Sequence, residues 1–456
     1  MSSLSPLDGR YATYVSEITV ICSERGFMRA RIEVECKYLE SLVRTLQSYN
    51  LLEYREALMI DSNIWKSEEL IDMIFDIEKE TAHDVKAVEL GLRKYLNLPS
   101  SISSLIHFGL TSQDINSIAL WIQLEQCKRV ILNEISVFMR NLMAKHALPN
   151  MSMMMLARTH GQAATPTTVG KELMVFIERL EHECRSNLIT LVPRTKFGGA
   201  TGGFNAHNLV YPQIDWPRWA DTFLEENFSG FQRQQHTTQI EHYDTVAQLF
   251  DTVKRCNTIL IDFARDMWQY ISMDYFMQFR SNEANVGSST MPHKINPIHF
   301  ENAEGNLGLA NALFQFFSGK LPISRLQRDL TDSTVTRNIG MAFGYTLLAI
   351  KKLNEGIECI KVNDEVIQKD LMNNWEVITE GLQTILRSRG DERAYEKLKD
   401  LSKQLREAEA ENKPIIMQEF IRANFSLRFY NLSPVSYGPM LPYQKERFHN
   451  LSKRND

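Results

Sequence analysis

The residue types best suited to chemistry lie close together in residues 287–297, which read GSSTMPHKINP. Ser288 and Ser289 follow a glycine, so backbone N–H groups of this stretch can converge on an anion. Lys294 adds a fixed positive charge, and Asn296 adds amide donors and an acceptor. Such a set could stabilise a developing oxyanion or bind a carboxylate. A glycine- and serine-rich linker without chemistry would have the same composition.

A second candidate is the segment 158–162, which reads Arg-Thr-His-Gly-Gln. His160 is of the residue type that most often transfers protons near neutral pH. Arg158, Thr159 and Gln162 surround it with polar side chains. The segment therefore predicts a loop with a general acid or base. A structural histidine with satisfied hydrogen bonds is the alternative.

Two further segments could bind or polarise a substrate. His83 and Asp84 lie within about one helical turn of each other and of a lysine. Residues 325–337 combine guanidinium and hydroxyl groups that suit a phosphate: Arg328, Ser333, Thr334 and Arg337. A solvated helix face is the alternative interpretation of both segments.

Charge, cysteine and histidine patterns exclude several classes of protein. A net charge of −5 lacks the electrostatic footprint of a nucleic-acid binder. The six cysteines form no CxxC pair, which favours reduced core thiols over a disulfide framework. No HExxH or comparable ligand spacing occurs among the eleven histidines, so no metal site is predicted.

The sequence also predicts a cytoplasmic protein without a membrane partner. The first ten residues, MSSLSPLDGR, lack the apolar core of a signal peptide. No window of about 18 uncharged apolar residues is available to span a membrane.

Long helices must position these groups. The chain has only 21 glycines and 14 prolines in 456 residues. Together they form a smaller share of the chain than the roughly 12% that these two residue types make up in an average protein. Residues 27–90, 110–148 and 231–286 contain neither type. Apolar residues recur there at spacings of three and four, as in residues 28–46, which is a helical stripe. These patterns predict an all-α fold with a bundle of long helices; a coiled-coil rod is the alternative.

Residues 287–297 match every fixed position of GSSxMPxKxNP, so the chain resembles the fumarase/aspartase superfamily through its signature loop. We call residues 287–297 the signature segment. Segments 81–89, 158–162 and 332–338 resemble the adenylosuccinate lyase family, in its bacterial form. The resemblance runs from residue 8 to about residue 397.

The resemblance implies a three-part, fumarase/aspartase-like all-α architecture. We expect an N-terminal helical domain in residues 1–110, a central long-helix bundle carrying the signature loop in 111–362, and a C-terminal helical domain in 363–456. It also implies a homotetramer whose active sites are shared between subunits.

The implied reaction is a β-elimination in purine nucleotide biosynthesis. Fumarate would leave adenylosuccinate to give AMP, and the succinyl-carboxamide ribotide SAICAR to give AICAR, with no cofactor. Argininosuccinate lyase and fumarase share the signature loop, but the phosphate-type residues favour a nucleotide substrate. A non-catalytic nucleotide-binding scaffold is the other alternative, and it would have no need of both Ser288 and His160.

The resemblance also implies roles for single residues. Ser288, a poor base when isolated, would take the proton with the help of this cationic, donor-rich loop, and His160 would act as the acid. Glu301 would orient His160, and His83 and Lys294 would assist catalysis. Substrate binding is implied for a larger set: Arg10, Tyr11, His83, Asp84, Thr111, Ser112, Gln239, Ser289, Lys294, Asn296, Asn302, Arg328, Ser333, Thr334 and Arg337.

Three positions depart from the pattern of the family. Ala82 replaces an Asn found before the His-Asp pair, Ala163 replaces a Pro that often follows His-Gly-Gln, and Tyr243 replaces a His. These departures concern the geometry of substrate binding and not the reaction itself.

Overall fold

The computed structural model describes residues 3–279, 291, 293–443 and 446. Helices dominate these ranges and the strands are short, so the all-α prediction is confirmed. The first six helices are α1 (Ser16–Cys22), α2 (Glu24–Ser48), α3 (Glu68–Thr81), α4 (Asp84–Leu96), α5 (Ser100–Ser103) and α6 (Ser112–Leu142).

The later helices include the rest of the long ones. The next six are α7 (Val169–Glu183), α8 (Asn205–Val210), α9 (Trp216–Asn227), α10 (Asp244–Ser272), α11 (Ile298–Lys320) and α12 (Thr331–Thr336). The last five in the described ranges are α13 (Ile339–Glu358), α14 (Asp364–Asn373), α15 (Thr379–Ser388), α16 (Ala394–Glu407) and α17 (Lys413–Asn424). The prediction of long helices is confirmed, since α6 has 31 residues and α10 has 29.

Six short strands form three two-stranded sheets within the described residues. Two pairs are antiparallel, β1 (Met154–Thr159) with β2 (Gln162–Thr168), and β5 (Phe276–Gln278) with β6 (Ile360–Val362). The third pair, β3 (Arg194–Thr195) with β4 (Gln232–Arg233), is parallel. The β1–β2 hairpin is the longest and contains the predicted loop 158–162.

The described residues divide into two compact units. The first comprises Met1–Glu134, His182–Thr258 and Gly305–Lys351, and the second comprises Ile135–Glu181, Ile259–Glu304 and Lys352–Asp456. Every boundary between them falls within a long helix. The three-part division at residues 110 and 362 stays a prediction.

The predicted stripe on α2 lies in the core of the first unit. Met28, Ile32, Leu39 and Leu42 are all buried there, because residues three or four apart share one helix face. Ser23 caps the start of α2 by accepting the N–H of the third residue of the helix at 3.2 Å.

The second unit has an apolar core of its own. Its C-terminal helices bury Leu371, Leu382 and Leu401 together with Met154 and Leu156 of β1. This packing ties the hairpin to the C-terminal helices. In the described ranges, no helix combines the length and the apolar character that crossing a membrane requires.

Candidate active site

The predicted site residues fall into two sets, one in each unit. The first unit holds most of the expected substrate-binding residues, among them His83, which is also expected to assist catalysis: Arg10, Tyr11, His83, Asp84, Thr111, Ser112, Gln239, Arg328, Ser333, Thr334 and Arg337. The second unit holds those expected at the carbon–nitrogen bond and the carboxylates: His160, Lys294, Asn296, Glu301 and Asn302. Ser288 and Ser289 lie outside the described residues.

His160 lies at the tip of the β1–β2 hairpin. The strands pair Thr159 with Gln162, which leaves His160 and Gly161 as a two-residue connection. Their φ angles are +53° and +73°, and a type I′ hairpin turn requires positive φ at both positions. The side chain of His160 is exposed at this tip. A histidine so placed can transfer a proton to a bound substrate.

Two polar contacts fix the hairpin within the second unit. Arg158 donates to Asp370 Oδ2 at 2.6 Å, and Thr165 donates to Glu380 Oε2 at 2.5 Å. Arg158 therefore anchors the hairpin to α14. These contacts hold the hairpin that carries His160 against helices α14 and α15.

The end of the signature segment leads directly into α11. The Pro297 carbonyl accepts the backbone N–H of Glu301 at 3.2 Å, which places Glu301 in the first turn. Glu301 Oε1 accepts a hydrogen bond from Trp268 Nε1 at 3.1 Å. Among the described residues, Glu301 therefore bonds to Trp268 rather than to His160. The other predicted residues of this region are exposed or half-buried: Lys294, Asn296 and Asn302.

Three predicted segments of the first unit meet at the start of α6. Gln239 Nε2 donates to Thr111 Oγ1 at 3.5 Å. The backbone N–H of Gln239 donates to the Gln327 carbonyl at 3.2 Å. Gln327 directly precedes Arg328, and Ser112 is the first residue of α6. The structure thus brings the expected carboxylate-binding residues close to the arginine segment.

A buried ion pair supports this meeting point. Asp114 Oδ1 accepts from Lys196 Nζ at 2.7 Å and from the Gly198 N–H at 2.8 Å. Its Oδ2 accepts the N–H of Thr111 at 2.8 Å and that of Gly199 at 3.1 Å. Neither charged side chain is exposed. Burial lowers the pKa of Lys196, and Asp114 opposes that effect. The ion pair therefore fixes the Thr111 backbone.

Asp114 and Lys196 are not among the site residues predicted from the sequence. Two signals were available: an acidic residue directly after the Thr-Ser-Gln run, and a lysine two residues before the cluster of glycines that starts at Gly198. A buried lysine requires a specific partner, which only the fold reveals.

The arginine segment offers donors to an anion. Nε of Arg328 is buried and lacks a hydrogen-bond partner among the described residues, and burying an unpaired donor costs about 1–3 kcal/mol. An anionic ligand would satisfy this donor. Ser333 and Thr334 lie in α12. Arg337 is exposed, and its Nη1 lies 3.8 Å from Glu24 Oε1.

His83 and Asp84 lie at the start of α4. His83 Nδ1 accepts the Lys86 N–H at 3.2 Å, and 54% of the His83 side chain is exposed. Asp84 is paired with Arg31 at 2.5 Å. Burial alone would raise the pKa of Asp84, but the ion pair with Arg31 and a backbone hydrogen bond outweigh it, so the pKa is lowered. Asp84 thus stays negatively charged near neutral pH, beside the exposed imidazole of His83.

The first predicted residues of the chain are adjacent to one another. The Arg10 guanidinium carbon lies 5.8 Å from the centre of the Tyr11 ring, within cation–π range. The Tyr11 ring meets the edge of the Tyr14 ring at 6.4 Å. Arg10 is exposed, so its charge is accessible to a substrate.

The structure shows where the three residues that depart from the family pattern lie. Ala82 has φ of +51° where α3 ends, a conformation that Asn adopts more readily than Ala. Ala163 pairs with Arg158 in the β1–β2 ladder. Tyr243 is buried and donates its hydroxyl to Asp332 Oδ2 at 2.9 Å.

The comparisons with known proteins agree with this fold. Residues 9–311 match the family model described as Lyase, and residues 324–438 match the one described as Adenylosuccinate lyase C-terminal. The 3-carboxy-cis,cis-muconate lactonizing enzyme from Pseudomonas putida has a similar structure, with a TM-score of 0.74 and 19% identity over 98% of this chain and 99% of that chain. The fold and the matched model define a lyase of the fumarase/aspartase type.

Curated relatives narrow the class. The adenylosuccinate lyase of Dictyostelium discoideum is 46% identical over 414 residues, which cover 88% of both chains. That of Escherichia coli strain K12 is 41% identical over 88% of this chain and 89% of its own. That of Haemophilus influenzae is 40% identical over 96% of both. The chain belongs to the adenylosuccinate lyase family.

Proposed function

We propose that the chain eliminates fumarate from adenylosuccinate to give AMP, and from SAICAR to give AICAR, as a carbon–nitrogen lyase of purine nucleotide biosynthesis. One observation carries this proposal: identity of 40–46% to curated adenylosuccinate lyases over 88–96% of the chain. Argininosuccinate lyase and fumarase, the alternatives considered from the sequence, act on substrates without a phosphate. They would have no use for the phosphate-type residues in and beside α12.

The reaction makes three demands on the site. A base must remove a proton from the carbon next to a carboxylate, donors must hold the charge that this carboxylate gains, and an acid must protonate the departing nitrogen. We assign the base to Ser288 and the acid to His160. Lys294 and Asn296 would hold the carboxylate that gains charge. Electrons move from the C–H bond into the new double bond, and the C–N pair leaves with the nitrogen.

The exposure of the second-unit residues supports these roles. His160 at its hairpin tip and Lys294 in the signature segment are both exposed to solvent. Each can therefore reach a substrate without rearrangement of the core. Within the described residues of one chain Glu301 bonds to Trp268, and in the proposed shared site it would orient the His160 of another subunit.

The first-unit residues would bind the rest of the substrate. Thr111 and Ser112 would hold the second carboxylate, with Gln239 beside them. Arg328 offers the phosphate a buried N–H that has no hydrogen-bond partner among the described residues, and a guanidinium suits phosphate oxygens. The hydroxyls of Ser333 and Thr334 and the exposed Arg337 would complete this anion site.

We further propose a homotetramer with shared active sites. Three large apolar side chains of α11, Ile298, Leu309 and Phe316, are more than half exposed. They are 11 and 7 residues apart, so they lie on one face of the helix. Exposed apolar surface of this kind marks a protein interface, and a second copy of the chain would cover it. The cytoplasmic location and the absence of a cofactor stay predictions from the sequence.

Substrate choice by the purified wild type tests the proposed function. Ultraviolet absorbance can follow turnover of adenylosuccinate and of argininosuccinate under the same conditions. We expect turnover of adenylosuccinate alone. Turnover of argininosuccinate without turnover of adenylosuccinate would overturn the assignment.

A further inference from the structure

We infer that Asp332 is a positioning residue for the substrate phosphate, and that Tyr243 and Gln113 hold its carboxylate in place. This inference rests on the proposed function and concerns how its anion site is built. The sequence alone indicates no role for Asp332 or Gln113, and Tyr243 stands out only as a departure from the family.

The carboxylate of Asp332 joins three segments that are far apart in the chain. Oδ2 accepts the Tyr243 hydroxyl at 2.9 Å and the Gln113 Nε2 at 3.2 Å. All three side chains are buried, with 4% or less of each residue exposed. Hydrogen bonds to a buried charged group are stronger than those between neutral groups. The three residues therefore form a fixed junction, which we call the Asp332 junction.

The other carboxylate oxygen sets the position of Ser333. Oδ1 accepts the Ser333 N–H at 2.7 Å, and the Ser333 hydroxyl lies 3.3 Å away. The backbone of Ser333 is thus held firmly while its hydroxyl makes only a long bond. That hydroxyl can turn toward a phosphate oxygen at little cost. Asp332 itself, being buried, acts through Ser333 and does not touch the substrate.

The same junction reaches the expected carboxylate-binding residues. Gln113 directly follows Ser112 at the start of α6. Tyr243 follows Gln239, whose side chain contacts Thr111 at 3.5 Å. Asp332 therefore links the two anion-binding ends of the proposed nucleotide site. The distance between the Thr111–Ser112 pair and Ser333 would be set by this one carboxylate.

Tyr243 suits the junction because it is a neutral donor. Burial and the charge of Asp332 raise the pKa of the Tyr243 hydroxyl, so the hydroxyl keeps its proton and donates. The donors on Oδ2 also disperse negative charge that would otherwise repel a phosphate at Ser333. Loss of the hydroxyl would weaken phosphate binding more than it slows the chemical step.

A set of three variants tests the inference by steady-state kinetics. We expect Tyr243→Phe to raise the KM for adenylosuccinate about tenfold, as for a lost hydrogen bond to a charged group, and to keep kcat within about threefold. Tyr243→His restores a donor and is expected to restore KM to within about threefold. The matched control is Tyr270→Phe in the second unit, which removes a tyrosine–carboxylate bond of 2.9 Å to Glu172; its KM should not change.

Two further measurements distinguish a loss of phosphate binding from a general loss of substrate binding. A phosphate-free succinyl nucleoside should be handled alike by wild type and Tyr243→Phe, and calorimetry should show weaker binding of AMP to Tyr243→Phe. If Tyr243→Phe does not fold by circular dichroism, Asp332→Asn takes its place with the same expectations. An unchanged KM, or an equal loss with the phosphate-free substrate, would overturn the inference. Absence of turnover by the wild type would instead contradict the proposed function.

Discussion

The carboxylate of Asp114 and the ammonium of Lys196 lie 2.7 Å apart, and neither side chain is exposed to solvent. The same carboxylate binds the backbone of Thr111 and of two glycines. One buried ion pair therefore fixes both the start of α6 and the glycine-rich loop.

Breaking this ion pair should unfold the protein more easily. Lys196→Met leaves Asp114 as a buried charge without its cation, and such losses cost about 3–5 kcal/mol. Urea unfolding should show this decrease in the free energy of unfolding. The control is Lys79→Met, which breaks the exposed pair between Lys79 and Asp76 and should leave the free energy of unfolding nearly unchanged, because exposed ion pairs contribute little to stability. Equal effects of the two variants would contradict the structural role of Asp114.

Arg328 should contribute to phosphate binding. Arg328→Ala is expected to raise the KM for adenylosuccinate at least tenfold, because a charge-assisted hydrogen bond is worth about 1.5–3 kcal/mol. The effect on a phosphate-free analogue should be much smaller, and Arg337→Ala should behave alike. Arg325→Ala serves as control, since Arg325 is 80% exposed and pairs with Asp329. A similar rise in KM for both substrates would argue against a phosphate role.

Glu241 should make stability depend on pH. Burial raises the pKa of Glu241 to about 8 in the folded state, against about 4.3 when unfolded. Between these values the folded state binds the extra proton, so stability decreases as pH rises, by up to about 1.4 kcal/mol per pH unit. Glu241→Gln keeps the acceptor for Gln234 and should remove this slope. Urea unfolding at several pH values between the unfolded and the folded pKa of Glu241 measures this slope.

The matched control for Glu241 is an exposed acid on the same unit. Glu225→Gln on α9 should leave the pH dependence of unfolding as in the wild type. A slope in Glu241→Gln equal to that of the wild type would refute the assignment of a proton to Glu241.

Ala82 should be a site for stabilisation. Its φ of +51° strains an alanine, whereas glycine adopts this conformation freely. Relief of this strain, about 1–2 kcal/mol, outweighs the entropy that glycine gains in the unfolded chain, so Ala82→Gly should stabilise by about 0.5–1 kcal/mol, measured as a rise in Tm. Ala423→Gly within α17, where the backbone is helical, should destabilise instead. A fall in Tm for Ala82→Gly would show that the strain is not relieved.

Local patterns were enough to predict the helices. The stripe on α2 has apolar residues at Met28, Ile32, Leu39 and Leu42, and all are buried. The polar interruption at Glu35 has a partner that no local pattern reveals. Its carboxylate lies 2.6 Å from His107 Nδ1, and the two residues are 72 positions apart in the chain.

The sequence was enough to predict which segments form the site. It did not predict how these segments are arranged around one another. The His-Gly pair marks His160 as special, yet the hairpin that holds it depends on Arg158 and Asp370, which are 212 positions apart. The Asp332 junction likewise joins residues 89 and 219 positions apart. Local propensities carry no information on such distant contacts, so the folded structure had to supply them.

Fumarate release from adenylosuccinate by wild type, Ser288→Ala, His160→Ala and a refolded mixture of the two variants tests the central claim most directly. We expect wild-type turnover, a loss of about 10²–10⁴-fold in kcat for each variant with substrate still bound, and partial recovery in mixed tetramers. Recovery should approach roughly a quarter of the sites if each site takes the two residues from different subunits. A near-normal rate in Ser288→Ala, or no recovery in verified mixed tetramers, would contradict the account.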